Sequence, residues 1–216
     1  MKNRVKRHEW TWLAVTIVLG LATPALAQTA PKAAPRWWGQ EERNENFDAA
    51  KFSHPTQIDS PWFPMKPGLR MTFEGTSVTD EGVTIKRKMQ INVTGLTKTI
   101  GGIKSVVSYD LDWAKGALVE AELACIAQDD DGNVWLMGEY PEEYDDGNGV
   151  ITGNPAWFHG IDDALAGILV PGKPEVGSPS FAEGWGPKVE YNDRGRVDSV
   201  GVTVCTGVRA SMVSRG

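Results

Sequence analysis

The sequence predicts an all-β protein: an antiparallel meander curling toward a barrel or sandwich, with one short helix or helical turn near residues 160–170. Three observations carry this expectation. Runs of β-branched and aromatic residues recur at roughly ten-residue spacing. Gly-bearing and Lys-Gly or Asp-Gly breaks separate them, at Asp80-Glu81-Gly82, Gly101-Gly102, Lys115-Gly116, Asp129-Asp130-Asp131-Gly132 and Asp145-Asp146-Gly147-Asn148-Gly149. No segment offers a long amphipathic helix.

Taken in order, strands are expected at 69–78, 83–94, 103–113, 117–127, 133–139 and about 149–152. Ahead of them, Pro61-Trp62-Phe63-Pro64-Met65-Lys66-Pro67-Gly68 is too rich in proline for helix or central strand. It reads as an extended segment that seats Trp62 and Phe63 and ends in a Pro-Gly turn. In the second strand Val83, Ile85, Arg87, Met89, Ile91 and Val93 alternate with Thr84, Lys86, Lys88, Gln90 and Asn92, the pattern of a half-buried strand with one wet face. The helical expectation rests on Gly160 to Val170, about three turns at most, closed by Pro171-Gly172. A last hairpin is expected at 186–204, pairing Lys188–Tyr191 with Arg196–Val204 across Asn192-Asp193-Arg194-Gly195.

Three parts precede or make up this β-rich domain, which is read as 59–216. Residues 1–27 have the build of a secretory signal peptide. Lys2, Arg4, Lys6 and Arg7 come first, then the apolar run Trp12 to Ala22, then Thr23-Pro24 and the small-x-small site Ala25-Leu26-Ala27. The apolar run is shorter than the roughly 20 residues a membrane-spanning helix needs, so the cleaved chain is expected not to span a membrane. With neither an Arg-Arg pair before the run nor a Cys after the site, the general secretory route is favoured over the twin-arginine route and over a lipoprotein anchor. Residues 28–58 read as a flexible tether in which Trp37-Trp38 and Phe47 are set to dock on the domain. The expected address is periplasmic or secreted.

Removing the signal takes the net charge from −6 to about −9, which argues against nucleic acid or an anionic lipid surface as partner. Cys125 and Cys205 lie in apolar stretches in a compartment that tolerates disulfides, and both a disulfide and two buried thiols remain open readings. A thiol catalyst is disfavoured, since neither has a C-x-x-C partner or a neighbouring His.

Few chemistries find support. The densest polar cluster, Gln128-Asp129-Asp130-Asp131-Gly132-Asn133, fails the helix-loop-helix calcium pattern, having Val134 where a Gly and Tyr140 where a Glu belong. It reads as a hairpin loop. Together with the neighbouring acidic run Glu139, Glu142, Glu143, Asp145 and Asp146, it leaves a weak Ca²⁺ site as an expectation, with Asp129, Asp131, Asp145 and Asp146 as ligands; no other cofactor is expected. His54 and His159 are too few for a His-rich zinc site, and His159 with Asp162, Asp163 and the serines at 178 and 180 lacks a G-x-S-x-G elbow. His159 reads as a loop or capping residue. Trp135, Trp157 and Trp185 are candidates for stacking on a small-molecule or polymer ligand, although core anchors are the simpler reading. Catalytic residues are not identifiable. A non-catalytic envelope or ligand-binding domain is the leading functional expectation; the alternatives are a carboxylate-dependent hydrolase of an envelope or extracellular polymer, and a structural or interaction module.

Several segments together resemble a widespread family of exported bacterial β-rich proteins with no assigned activity. They are Pro61 to Gly68, which resembles P-[YW]-F-P-L-x-P-G with Met65 in place of the Leu, and Ala127-Gln128-Asp129-Asp130-Asp131-Gly132-Asn133-Val134-Trp135, matching A-Q-D-x-D-G-N-V-W. Gly138-Glu139, Glu143-Tyr144, Ala164 to Ile168 with Pro171, Pro174 and Gly177, and Ala182 to Pro187 complete the set. The likeness covers about residues 58–205. It implies an exported β-domain and supplies no catalytic residues. Relatives of this kind continue past the position of Cys205 through further strands, so the resemblance also implies that this chain is C-terminally shortened.

Overall fold

The computed structural model describes residues 45–79, 81–144, 149, 151–153 and 156–202. Within them the regular structure is nearly all strand, a curled antiparallel sheet that forms a half-barrel. Strands β1 (Arg70–Val78), β2 (Thr84–Ile100), β3 (Ile103–Ala114), β4 (Ala117–Gln128) and β5 (Val134–Tyr144) make an uninterrupted meander. Two of its hairpins are closed by residue pairs with left-handed backbone: Gly101-Gly102 at φ 55° and 84°, and Lys115-Gly116 at φ 53° and 90°. Such pairs match the twist of the strands they join.

Three short strands then line up along the far side of β5. The strands β6 (Ile151–Gly153), β7 (Trp157–Phe158) and β8 (Leu165–Val170) pair with its end, middle and start respectively. After β9 (Phe181–Ala182), β10 (Gly184–Trp185) extends the sheet beyond β8, while β11 (Arg194–Gly195) pairs with β9 as a separate ribbon. Among the described residues no helix is long and apolar enough to cross a membrane.

Two apolar clusters occupy opposite faces of the sheet. The larger contains Ile91 and Val93 of β2, Val106 of β3, Ala124 and Ile126 of β4, and Val134 and Leu136 of β5. Over them lie Ile58, Met65 and Trp157, with Phe63 packed at the margin. Met65 is the residue that the proline-rich segment seats most deeply, at 1% exposure, whereas Trp62, expected to be seated with Phe63, stays 41% exposed. The second cluster holds Ile103, Val107, Cys125, Ala127, Trp135 and Met137. It is covered by residues 45–52, the end of the segment read as a tether: Phe47 meets the Phe52, Trp135 and His159 rings at centroid distances of 5.2, 5.5 and 4.2 Å. A 3-10 turn, Ala49–Lys51, capped by Asp48, sits between these two phenylalanines.

Two sequence expectations need correction. The short helix at 160–170 is instead a turn followed by strand β8. Gly160, Asp162 and Asp163 have φ of 81°, 52° and 63°, which breaks any helical first turn. Gly167 has no side chain because the backbone of Ala182 to Gly184 occupies the space a Cβ would need. The apolar run A-L-A-G-I-L-V therefore reflects a strand paired on both sides, which short apolar runs do not distinguish from helix. Nor does the expected 186–204 hairpin appear among its described residues, which end at 202. Gly186 and Tyr191 bridge each other in a tight turn, and Arg194–Gly195 turns away to pair with β9, held by Arg194 donating to the Ser180 carbonyl and hydroxyl.

Candidate functional site

The acidic loop that dominates the sequence is built as structure. Asp129 is 6% exposed and its carboxylate accepts four hydrogen bonds: from the amides of Asp131 and Asn133 at one oxygen, and from Asn133 Nδ2 and Trp135 Nε1 at the other, all at 2.8–3.0 Å. Asp130 accepts from the Ser53 amide and hydroxyl, and Asp131 from Lys51 Nζ at 2.6 Å. The loop thus closes the β4–β5 hairpin and pins the 45–58 segment to it. Of the four expected calcium ligands, Asp129 and Asp131 are engaged in this way, and Asp145 and Asp146 lie outside the described residues. Among the described residues no three His, Cys, Asp or Glu side chains are grouped to hold a metal ion.

The acids on the strands have a different setting. Because side chains alternate along a strand, the face that carries Val106 on β3 also carries Ser108, Asp110 and Asp112, and the face that carries Ala124 and Ile126 on β4 also carries Glu122 and Glu120. The register sets Asp110 opposite Glu122, and Asp112 opposite Glu120, with Glu143 opposite Glu120 on the other side. Glu139 reaches this face only through an irregularity. Cys125 faces Gly138 and Ile126 faces Leu136, so Met137 is one residue too many and the pleat reverses. Gly138 takes φ 148° there, and a Cβ on it would run into the Trp157 carbonyl and the Phe158 backbone. One half of the face is therefore a dry core, and the other half bears Asp110, Asp112, Glu120, Glu122, Glu139 and Glu143.

Donors for these carboxylates are scarce. The guanidinium of Arg87, on β2, pairs with Asp112. Ser108 donates to one oxygen of Asp110 at 3.2 Å, and the other oxygen is buried with no partner. Trp157 Nε1 donates to Glu139 at 3.1 Å. Glu122 is only 9% exposed, yet the described residues provide it no hydrogen bond or ion pair. Its charged neighbours are Glu139, Glu120, Asp110 and Asp112, all of one sign. Like charges directly across a sheet repel, and burial penalises each further.

The outcome is a set of carboxyls that hold their protons unusually well. Burial pushes Asp110 and Glu120 up to about 7, and for Glu120 the charges of Asp112 and Glu143 add to the effect. Burial, with Glu120, Asp193 and Glu183 nearby, pushes Glu139 to about 8 against the lowering effect of the Trp157 bond. Glu122 is raised well above its ordinary value by burial and then by Glu139. The 181–195 segment extends the set: burial carries Glu183 to about 7 and Asp193 to about 6, and Tyr191, half-buried beside them, is pushed well above the ordinary phenol value.

The three tryptophans singled out in the sequence fall in different places. Trp135 is buried in the second cluster and donates to Asp129. Trp157 is buried on the acidic face, stacked on Tyr191 at 4.9 Å and bonded to Glu139. Trp185 is 37% exposed on β10. Near it, Trp157, Ile161, Gly186 and Lys188 border a small open pocket of about 50 Å³, well below the size of an organic-ligand site and lined by none of the strand acids. Cys125 is a buried thiol, pushed by burial to about 11; Cys205 lies outside the described residues. His159 accepts from the Ala166 amide through Nδ1, and burial disfavours its charged form.

The strand acids give the protein a surface that accepts cations when ionised and donates hydrogen bonds when protonated. Asp110, Glu120 and Glu122 were legible only as members of strands, although period-2 alternation assigns each to the buried face. Comparison with family models, curated proteins and solved structures gives no significant match for this chain.

Proposed function

We propose that the protein is exported to the periplasm or beyond the cell and acts there as a non-catalytic ligand-binding domain, the acid-bearing half of the sheet being its binding face. The observation that carries this reading is the facing pair Glu122 and Asp110: Glu122 is nine-tenths buried among other acids, and one oxygen of Asp110 is buried with no partner. Stability alone favours an apolar side chain at such a position, since an unpartnered buried polar group costs about 1–3 kcal/mol. Residues that break the folding rules in this way concentrate where proteins bind or react. The basic and apolar parts of residues 1–27, and the resemblance to exported β-rich proteins, support the address. Mass spectrometry of the periplasmic and extracellular fractions tests it: a chain starting at Gln28 is expected, and an unprocessed Met1 product overturns it.

A carboxylate-dependent hydrolase is the second reading, favoured by the values near 7 at Asp110 and Glu120, the range in which a general acid works at neutral pH. Release of reducing ends from envelope or extracellular polysaccharide, abolished by Glu120→Gln, would replace the binding reading with this one. A structural module predicts that Glu122→Gln alters no binding of any kind.

A further inference from the structure

Resting on the binding-face reading, we propose that the site takes an organic cation, specifically a linear alkyl polyamine, with Glu122 as its principal counter-ion and Asp110 and Glu139 on the flanking strands. The molecule already contains half of the arrangement. At one end of the acid row the chain's own cation, Arg87, is seated on Asp112, while the charges that weigh most on Glu122 and Glu139, in the next positions, are those of other acids. Asp110 lies directly across from Glu122, one strand spacing of about 4.8 Å away, while Glu139, opposite Ala124, stands diagonally from Glu122 at about 7–8 Å. Anions at these two unequal separations suit a chain of ammonium groups separated by three or four methylenes.

A single metal ion fits less well, because no three of these groups converge as ligands among the described residues. Beside Glu139, the Trp157 and Tyr191 rings stack on each other and close that end of the acid set. Binding has a proton cost and therefore a signature. The carboxyls facing one another from β3, β4, β5 and the 181–195 segment are Asp110, Asp112, Glu120, Glu122, Glu139, Glu183 and Asp193, with Tyr191 among them and Arg87 at the edge. At neutral pH several hold protons, and an ammonium that pairs with them must displace those protons to buffer.

Isothermal titration of the purified full chain with spermidine, at low salt, tests the proposal. Saturable binding at pH 8.5 is expected to weaken at least tenfold at pH 6, and its heat should vary with the ionisation enthalpy of the buffer as protons are released. Glu122→Gln should weaken it at least tenfold, while Asp131→Asn, on the loop, should leave it unchanged. The Gln variant lacks the buried charge and is expected to fold at least as stably, so lost binding is not lost structure. Equal affinity in wild type and Glu122→Gln, no saturable binding at pH 8.5, or saturation by Ca²⁺ in place of spermidine overturns the amine assignment. A thermal-shift screen of neutral sugars and peptides separates the two levels. A ligand lost in Glu122→Gln keeps the binding face and removes only the amine, whereas no ligand of any class sensitive to that substitution removes both.

Discussion

The loop acids Asp129, Asp130 and Asp131 and the strand acids Asp110, Glu120, Glu122 and Glu139 are the same chemistry in opposite circumstances. In the loop, backbone amides, Asn133, Trp135, Ser53 and Lys51 supply donors to every carboxylate. On the strands, most backbone amides are committed to the sheet ladder, so a carboxyl there depends largely on side-chain donors, and few are present. A dense run of acids in a sequence thus marks a turn that can satisfy itself. Acids spaced two apart inside apolar strands mark the place where the fold carries unmet demand.

The largest effect that sharpens this contrast is expected in the loop. Asp129→Ala removes the acceptor for four donors and leaves the Trp135 indole N–H buried without a partner. It should destabilise the domain by about 3 kcal/mol or more, read as a fall in the denaturant midpoint. Gly138→Ala comes next. It demands a left-handed backbone of a residue with a Cβ and forces apart β5 and β7, for a loss of about 2–3 kcal/mol and a shifted Glu139 titration.

Acid pH should have the opposite sign from its usual effect. In the unfolded chain the carboxyls release protons near 4–4.5, whereas the folded protein keeps those of Asp110, Glu120 and Glu139 to about 7–8. Between those values the folded state binds more protons, so stability falls as pH rises from about 4.5 to 8 and levels off above. Each retained proton contributes about 1.4 kcal/mol per pH unit. His159, which burial keeps neutral, works against this trend only as pH falls through 6.5. Urea denaturation across pH 4.5–9 reads the slope, and a domain that gains stability toward pH 8 contradicts it. Glu122→Gln should raise stability by about 2 kcal/mol at pH 8 and change little at pH 4.5, since it removes one carboxyl from the linked set. The smallest effect belongs to Lys51→Ala. Its partner Asp131 is open to solvent, and the melting temperature should stay within error of wild type.

Much of the fold was legible because the meander obeys local rules. The alternation from Val83 to Val93, the Gly101-Gly102 and Lys115-Gly116 turns and the Asp-Gly loop each locate an element within a few residues. The run at 160–170 imitates a helix because β8 sends apolar side chains into both clusters, Ala166 and Ile168 into one and Leu169 and Val170 into the other, and so lacks the alternation that identifies a strand. The final hairpin was misread because Arg194 finds its partner in Ser180, a contact no local pattern announces. The acidic face was half legible. Asp110, Asp112, Glu120 and Glu122 follow from counting by twos along β3 and β4, but Glu139 falls on the wrong count by one. Only Gly138, a glycine inside a strand, signals the bulge that turns it inward.

Carboxyl ¹³C NMR titration of the full chain, with Glu122 and Glu139 assigned through their Gln variants, tests directly whether the strand acids are the unmet ones. Glu139 should titrate near pH 8 and Glu122 well above the ordinary glutamate value. Titration of both below pH 5 would contradict the account.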